Sequence, residues 1–467
     1  MSYEQNAWTI TDTKDAVVKR LIESQTVRIG EEILSNSKQS IFNSGYWYNK
    51  LLEISTRNKS LKTELFRFVD VLPVLKTMAQ KKTHLYEYLG ASLSQMPWFV
   101  RVLRFLLKVP GFGQLALWIS DSQVRKMSNR FIVGDSIEAG LSVIQKRRDD
   151  NITFTADLLG ETVSSAEVAE DYLQRYSVLI EQLAKKANQW KPNPSVDSSA
   201  IGDIPRVNVS IKVSALDCRL DPMSYESSMH RLIQRLLPLL VKAKELGVFI
   251  NLDMEQYSLK EFTKDLFRRI LFHPLLKDYR FLGVVVQAYL KDSIQDIKEW
   301  IQVAQRRSVP FSIRLVKGAY WDYEVIVAEQ NGWDPPVFLK KIDTDANYEA
   351  CTRLMLEAFP AIELALASHN IRSIAHAISY AQWLKLPENA FEIQMLYGMA
   401  DPFKKTLVKR KIRLREYMPI GELIPGLAYL VRRLLENSSN DSFLKQSLVE
   451  RTQIAALLKD PAQDTSV

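Results

Sequence analysis

The chain has 467 residues, of which 46% are hydrophobic, 10% aromatic and 25% charged, too apolar for a disordered polymer and long enough to bury a large core. Two cysteines, Cys218 and Cys351, exclude a disulfide framework or a cysteine-built zinc site, and five scattered histidines argue against a histidine-rich metal centre. The net charge of +8 favours anionic partners without naming one.

The opening residues, MSYEQNAWTITDTKD, lack the basic and apolar regions of a secretory signal. No window reaches the ~18 uncharged apolar residues that span a bilayer. Residues 1–145 read as an all-helical arm and domain, because apolar residues recur at three and four positions, as in Val17 to Leu34. The stretch from Trp98 to Ser120 is broken by Arg101, Arg104, Lys108 and Pro110. It reads as a partly buried amphipathic helix, with a helix lying on a membrane surface as the alternative.

From Asn151 the texture changes to short β-rich runs alternating with amphipathic stretches, the pattern of βα units. The runs are Ile152 to Gly160, Val207 to Leu216, Val248 to Glu255, Leu282 to Leu290, Phe311 to Tyr320, Ile362 to Asn370, Phe391 to Met399 and Ile412 to Gly421. Eight such units over residues 146–445 suggest a (βα)8 barrel, with a doubly wound open sheet as the alternative. Residues 446–467 form a short polar tail. The connection from Trp190 to Arg206, rich in proline and serine, reads as an exposed loop. The basic run Lys404 to Arg415 has no aromatic residue to stack on bases, so it does not support nucleic-acid binding. It reads as a solvated helix face, or as a contact for anionic lipid.

In a barrel, polar residues at the C-terminal ends of strands point into the mouth. Those positions are Asp157, Lys212, Asp253, Gln287, Arg314, His369, Gln394 and Tyr417. Buried charge needs a partner or a ligand, so the mouth should hold a polar, charged ligand. GFGQLA at Gly111 to Ala116 fits a G-x-G-x-x-A pattern but has no strand before it, and is a chance match. There is no Walker A loop, G-x-S-x-G or H-E-x-x-H, and no metal site is expected. Near the end, YLVRRLLEN places Arg432 beside Arg433, with Glu436 four residues after Arg432. These residues suit either a solvated helix or a clamp for a carboxylate.

RLVKGAYWD (Arg314 to Asp322), SIKVSAL, INLDMEQ, VVVQAYL, ASHN, LYGMAD and YLVRRLLENSSNDSF together resemble the proline dehydrogenase family. The resemblance is strongest to the proline dehydrogenase half of the bifunctional proline utilization A flavoenzymes, from Asn151 to Phe443, and looser over the helical N-terminal region. It implies a distorted TIM-like (βα)8 barrel holding FAD, which oxidises L-proline to Δ1-pyrroline-5-carboxylate in the first step of proline catabolism. It implies that Gln287, Arg314, Lys317, Gly318, Ala319, Tyr320 and Trp321 contact the flavin or its phosphates. By the same resemblance Thr344, Ser368, His369 and Asn370 hold the adenosine and pyrophosphate side. Lys212, Arg432 and Arg433 bind the substrate carboxylate, Tyr417 and Leu396 pack on the pyrrolidine ring, and Asp253 and Met254 lie beside the isoalloxazine.

Chemistry supports those roles. Hydride transfer from proline C5 to flavin N5 leaves negative charge on the ring, which a fixed cation such as Arg314 stabilises. Asp157 and Glu436 are expected to pair with the clamp cations, and Tyr417 to leave little room for a ring hydroxyl. ASHN carries serine where the bifunctional members commonly have threonine, and LYGM carries tyrosine where they often have histidine. The expected acceptor of the electrons is a membrane quinone, from a cytoplasmic protein in peripheral contact with the inner face of the membrane. No ribbon-helix-helix segment and no aldehyde dehydrogenase half is seen. DNA binding is therefore not expected, and semialdehyde oxidation would need a partner or fused unit. A barrel that serves only as a scaffold is the competing class, disfavoured by the completeness of the flavin and clamp residues.

Overall fold

The computed structural model describes residues 13–37, 131–159, 163–421 and 453–463, with single positions at 77, 80, 83, 84, 87 and 443. The Trp98 to Ser120 stretch, Arg432, Arg433 and Glu436 lie outside the described residues. Among the described residues no helix is long and apolar enough to cross a membrane.

Eight parallel strands close into a barrel. They are β1 (Ile152–Leu158), β2 (Val207–Ile211), β3 (Val248–Leu252), β4 (Leu282–Gln287), β5 (Phe311–Val316), β6 (Ile362–Ala367), β7 (Phe391–Leu396) and β8 (Leu414–Ile420). Strand β1 pairs with β8 along its whole length, Ile152 opposite Leu414 through Leu158 opposite Ile420. It also pairs with β2 at Ala156–Val209 and Asp157–Ser210, which completes the ring. The open-sheet alternative is therefore excluded, and each expected run holds one strand. The strands stop before the runs do, because the last residues of each run turn into the loops of the mouth. Lys212, for example, leads directly into a 3-10 turn at Val213–Ala215.

The described helices longer than one turn are α1 (Thr13–Asn36), α2 (Ile137–Asp149), α3 (Ala166–Ala187), α4 (Tyr225–Glu245), α5 (Lys260–Leu271), α6 (Ser293–Arg307), α7 (Trp321–Asn331), α8 (Lys341–Glu357), α9 (Ile371–Trp383) and α10 (Asp401–Lys409). One helix follows each of β1 to β4, β6 and β7, whereas two follow β5. Helix α3 shows why they form and where they pack. Ser165 caps it by accepting from the Val168 N–H, and Tyr172, Tyr176, Leu179, Ile180 and Leu183 make one buried face. Each large apolar side chain so buried contributes roughly 1.5–3 kcal/mol. Helix α1 buries Ile29 and Ile33, and α9 holds it through a hydrogen bond from Ser379 Oγ to the Ile22 carbonyl.

The lumen differs from an apolar packed interior. Side chains of strands that are not neighbours meet there, and they are polar: Arg314 of β5 bonds Ser210 of β2 and Gln394 of β7. Nearer the floor, Asn208 Oδ1 accepts from Thr155 and Asn251. Gly283 supplies the space for Asn251, since any Cβ there would collide with its amide oxygen.

Two expectations need correction. The segment from Trp190 to Arg206 is no exposed loop: it contains a one-turn helix and a two-stranded hairpin across the N-terminal rim of the barrel. Arg280 donates to the carbonyls of Ile201 and Asp203, Arg413 to that of Ser198, and Asp197 receives the buried Arg148 in a bidentate pair. The basic run Lys404 to Arg415 is not simply a solvated face either. Lys404, Arg413 and Arg415 are buried and paired with Glu416 or Glu392, while Lys405, Lys409 and Lys411 are exposed. Glu392 on β7 and Glu416 on β8 draw those cations inward.

Removing Asp197 leaves the Arg148 guanidinium buried without its counter-charge. Asp197→Ala is expected to lower the unfolding free energy by about 3 kcal/mol. A lower urea midpoint with an unchanged m-value would show it.

Candidate active site

The C-terminal ends of the strands gather the charged residues anticipated there. Asp157, next to last in β1, accepts from Lys212 Nζ at 2.7 Å. Asp253, one residue past β3, binds three groups at once. Its Oδ1 accepts from Arg314 Nη1 at 2.6 Å, and its Oδ2 from the Tyr417 hydroxyl at 2.8 Å, with Lys212 Nζ 3.6 Å away. Arg314 also donates from Nη1 to Ser210 Oγ at 3.0 Å and from Nε to Gln394 Oε1 at 2.7 Å. Its guanidinium carbon lies 5.3 Å from the centre of the Tyr417 ring, within range of a cation–π contact. Lys212, Asp157, Asp253, Arg314 and Tyr417 thus form one connected cluster, as their strand-end positions suggested. Arg314, Gln394 and Tyr417 lie inside their strands rather than beyond them.

Of the other predicted residues, those that are described lie at the strand ends or in the segments that follow them. Gln287 ends β4 and donates from Nε2 to the Glu255 carbonyl. Met254 is buried beside Asp253. His369 accepts at Nε2 from the Leu396 N–H at 3.1 Å. Ser368 Oγ accepts from the Asn370 N–H, and Asn370 caps α9 by accepting from the N–H groups of Arg372 and Ser373. On the β5 side, Lys317 pairs with Asp345, which neighbours the buried Thr344 in α8. Gly318 has φ +133° and lies flat on the Tyr289 ring, where a Cβ would collide. Ala319 is exposed, Tyr320 is half-buried, and Trp321 Nε1 donates to the Phe338 carbonyl.

Among the buried polar atoms here without a hydrogen-bond partner are Arg314 Nη2 and Gln287 Oε1. They offer one donor and one acceptor to a ligand. Both sit on strand residues at the mouth, where a polar ligand or an ordered water can pair them.

Burial holds the Tyr417 phenol well above its ordinary range and the carboxylates of Asp157 and Asp253 add to this, so it remains a donor. Burial lowers the Lys317 ammonium, partly offset by Asp345. Burial opposes ionisation of Glu392, yet Arg415 and Arg413 outweigh it and hold the carboxyl at about 2. Ser210, Glu392, Asp345 and Glu255 were not singled out from the sequence. For Glu392 a signal existed, since it precedes Gln394 by two and a strand puts i and i+2 on one face.

The folded-state value for Glu392 lies below its unfolded value of about 4.3. Its stabilisation is therefore complete above that value and is lost as pH falls through about 2. The stability gap between the native protein and Glu392→Gln, read as Tm, should be widest near neutrality and shrink across that acid range.

A closed parallel barrel with cations and carboxylates converging on the C-terminal ends of its strands defines the (βα)8 class, with a candidate site at the mouth. Family comparison narrows the class. Residues 141–446 match the proline dehydrogenase family model and residues 23–131 match that of the proline utilization A N-terminal domain. The chain belongs to the proline dehydrogenase family.

The bifunctional protein PutA of Klebsiella aerogenes is 32% identical over 348 residues, covering 73% of this chain and 26% of that protein. Proline dehydrogenase 1 of Bacillus subtilis strain 168 is 26% identical over 324 residues, covering 69% of this chain and 91% of that protein. Among solved structures, proline utilization A from Bdellovibrio bacteriovorus, inactivated by N-propargylglycine, superimposes with a TM-score of 0.87 at 45% identity. That match covers 95% of this chain and 44% of the other. A proline utilization A variant from Bradyrhizobium japonicum gives 0.72 at 26% identity, covering 96% and 47%. The chain thus spans about a quarter of the length of the bifunctional relative from Klebsiella aerogenes.

Proposed function

We propose that this barrel binds FAD and oxidises L-proline to Δ1-pyrroline-5-carboxylate, the first step of proline catabolism. The observation that carries the reading is the Arg314 guanidinium, buried and bonded on Nε and Nη1 but with Nη2 left unpaired beside the mouth. Together with the orphaned Gln287 Oε1, it fits the polar edge of a flavin. Gly318, pressed against Tyr289, and Lys317 would accommodate the phosphates, and His369 and Ser368 the sugar and pyrophosphate side. Bound FAD supplies the hydride acceptor, N5 of its ring system.

The chain's own residues bind and orient the substrate. Lys212, with Arg432 and Arg433 of the sequence motif, binds the proline carboxylate, and Asp157 holds the Lys212 ammonium in place. Leu396 and Tyr417 pack on the pyrrolidine ring, and the Tyr417 hydroxyl is fixed by its bond to Asp253. Cations around the site favour the neutral form of the proline amine, whose nitrogen lone pair assists hydride departure from C5. The amine proton is then lost to solvent as the C5–N double bond forms. Clamping the carboxylate sets C5 in one place, and such positioning can supply several kcal/mol. Arg314 supplies fixed positive charge where negative charge develops. Electrons are proposed to leave to a membrane quinone during peripheral contact with the cytoplasmic face. An aldehyde dehydrogenase unit, fused or separate, is the proposed consumer of the product.

Purified protein loaded with FAD should show flavin absorbance that bleaches anaerobically on addition of L-proline; absorbance that persists would move the substrate to another amine. A chain that takes up no flavin would favour a scaffold. Arg314→Ala is expected to slow flavin reduction by roughly 100-fold. Arg432→Met should leave the protein yellow and raise the proline KM about tenfold or more. Stopped-flow absorbance and steady-state assays would separate these two effects.

A further inference from the structure

Arg314 is held from below as well as from the mouth. Gln394, buried in β7, lies between two groups of opposite hydrogen-bonding character. The Glu392 carboxylate can only accept, and takes the Gln394 Nε2 proton at 2.7 Å; the Arg314 Nε–H can only donate, and gives to Gln394 Oε1 at 2.7 Å. An amide between such neighbours has a single orientation. Glu392 is in turn kept ionised and oriented by the bidentate Arg415, at 2.7 and 3.1 Å, and by Arg413 at 3.2 Å. All five side chains are buried.

We propose that Gln394 and Glu392 are positioning residues. Through one locked amide they fix the rotation of the Arg314 guanidinium and so aim its unpaired Nη2 at the cofactor edge. The inference rests on the functional reading above. It assigns the lower lumen a task beyond folding: Arg415, Arg413 and Glu392 hold Gln394, and Gln394 aims Arg314. A guanidinium anchored only at Nη1 would pivot about that atom. Small misplacements of a charge-stabilising group cost up to about 100-fold in rate.

Gln394→Met keeps the volume and removes both hydrogen bonds. In the FAD-loaded protein it should make the flavin midpoint potential more negative and slow flavin reduction about tenfold, with the proline KM within about twofold. In an Arg314→Lys background the same substitution should add nothing further, because it acts through Arg314. Gln394→Glu provides a rescue. Its protonated carboxyl copies the amide by donating to Glu392 and accepting from Arg314, and ionisation brings it into repulsion with Glu392. The ratio of its reduction rate to that of the native protein should therefore fall as pH rises, and this variant decides the question should the methionine variant not fold. An unchanged potential and rate in folded Gln394→Met, full additivity with Arg314→Lys, or a pH-independent ratio for Gln394→Glu overturns the inference alone. A native chain that takes up no flavin overturns the functional reading and this inference with it.

Discussion

One cation at the centre of a closed barrel sets the terms for what surrounds it. Arg314 cannot lose its charge, and at 3% exposure it cannot be solvated by bulk water. A buried guanidinium must therefore be met by protein groups. Asp253 neutralises it, Asp253 and Ser210 accept from Nη1 and Gln394 from Nε, and Tyr417 covers it, while Nη2 is left unpaired. Each of those partners then needs its own support. Tyr417 shares Asp253 with Arg314, Lys212 balances Asp157, and Glu392 balances Arg415. The lumen is filled by charges that alternate in sign from floor to mouth, where an ordinary barrel would carry branched aliphatic residues. Such an interior adds little net stability over an apolar one, yet it imposes one arrangement on its members.

That arrangement needs a stiff frame. At the N-terminal rim the segment around the Ser198–Ser199 hairpin spans the strands, tied to arginines that precede β4 and β8. On the outside, Arg372 of α9 pairs with Glu23 of α1 and Glu349 of α8, and donates to the Leu458 carbonyl. It thereby joins a helix near the start of the chain, the barrel wall and a segment near its end. The first device acts at the rim opposite the mouth, and the second ties helices together from a residue two places after Asn370. A site on such a frame can be preorganised, which is what electrostatic catalysis requires.

The fold was legible because barrel strands and their covering helices are local patterns. Eight β-rich runs separated by amphipathic stretches were enough to anticipate the count, the parallel direction and the starts of nearly all strands. Residues of the mouth were legible for the same reason, since strand ends are fixed once the strands are. Misreadings came where pairing is non-local. Lys404, Arg413 and Arg415 look like one solvated stripe until Glu416 and Glu392 are seen to receive them. The stretch from Trp190 to Arg206 has the composition of a loop, and only the rim arginines show that it is a floor. Tyr397, in the place where the resemblance anticipates histidine, packs under Arg147, with that guanidinium 5.5 Å from its ring centre.

Local sequence, then, determined the βα alternation, the identity of the groups at the mouth and the family to which the chain belongs, because periodicity and short motifs are carried by residues close together along the chain. Tertiary structure alone decided which charge meets which. Ser210 and Arg314 become partners because the curved sheet brings together side chains from strands far apart in sequence, and Glu392 and Arg415 because β7 and β8 pair in one register. The energy of each pair depends on the burial that barrel closure creates, and no spacing along the chain records it.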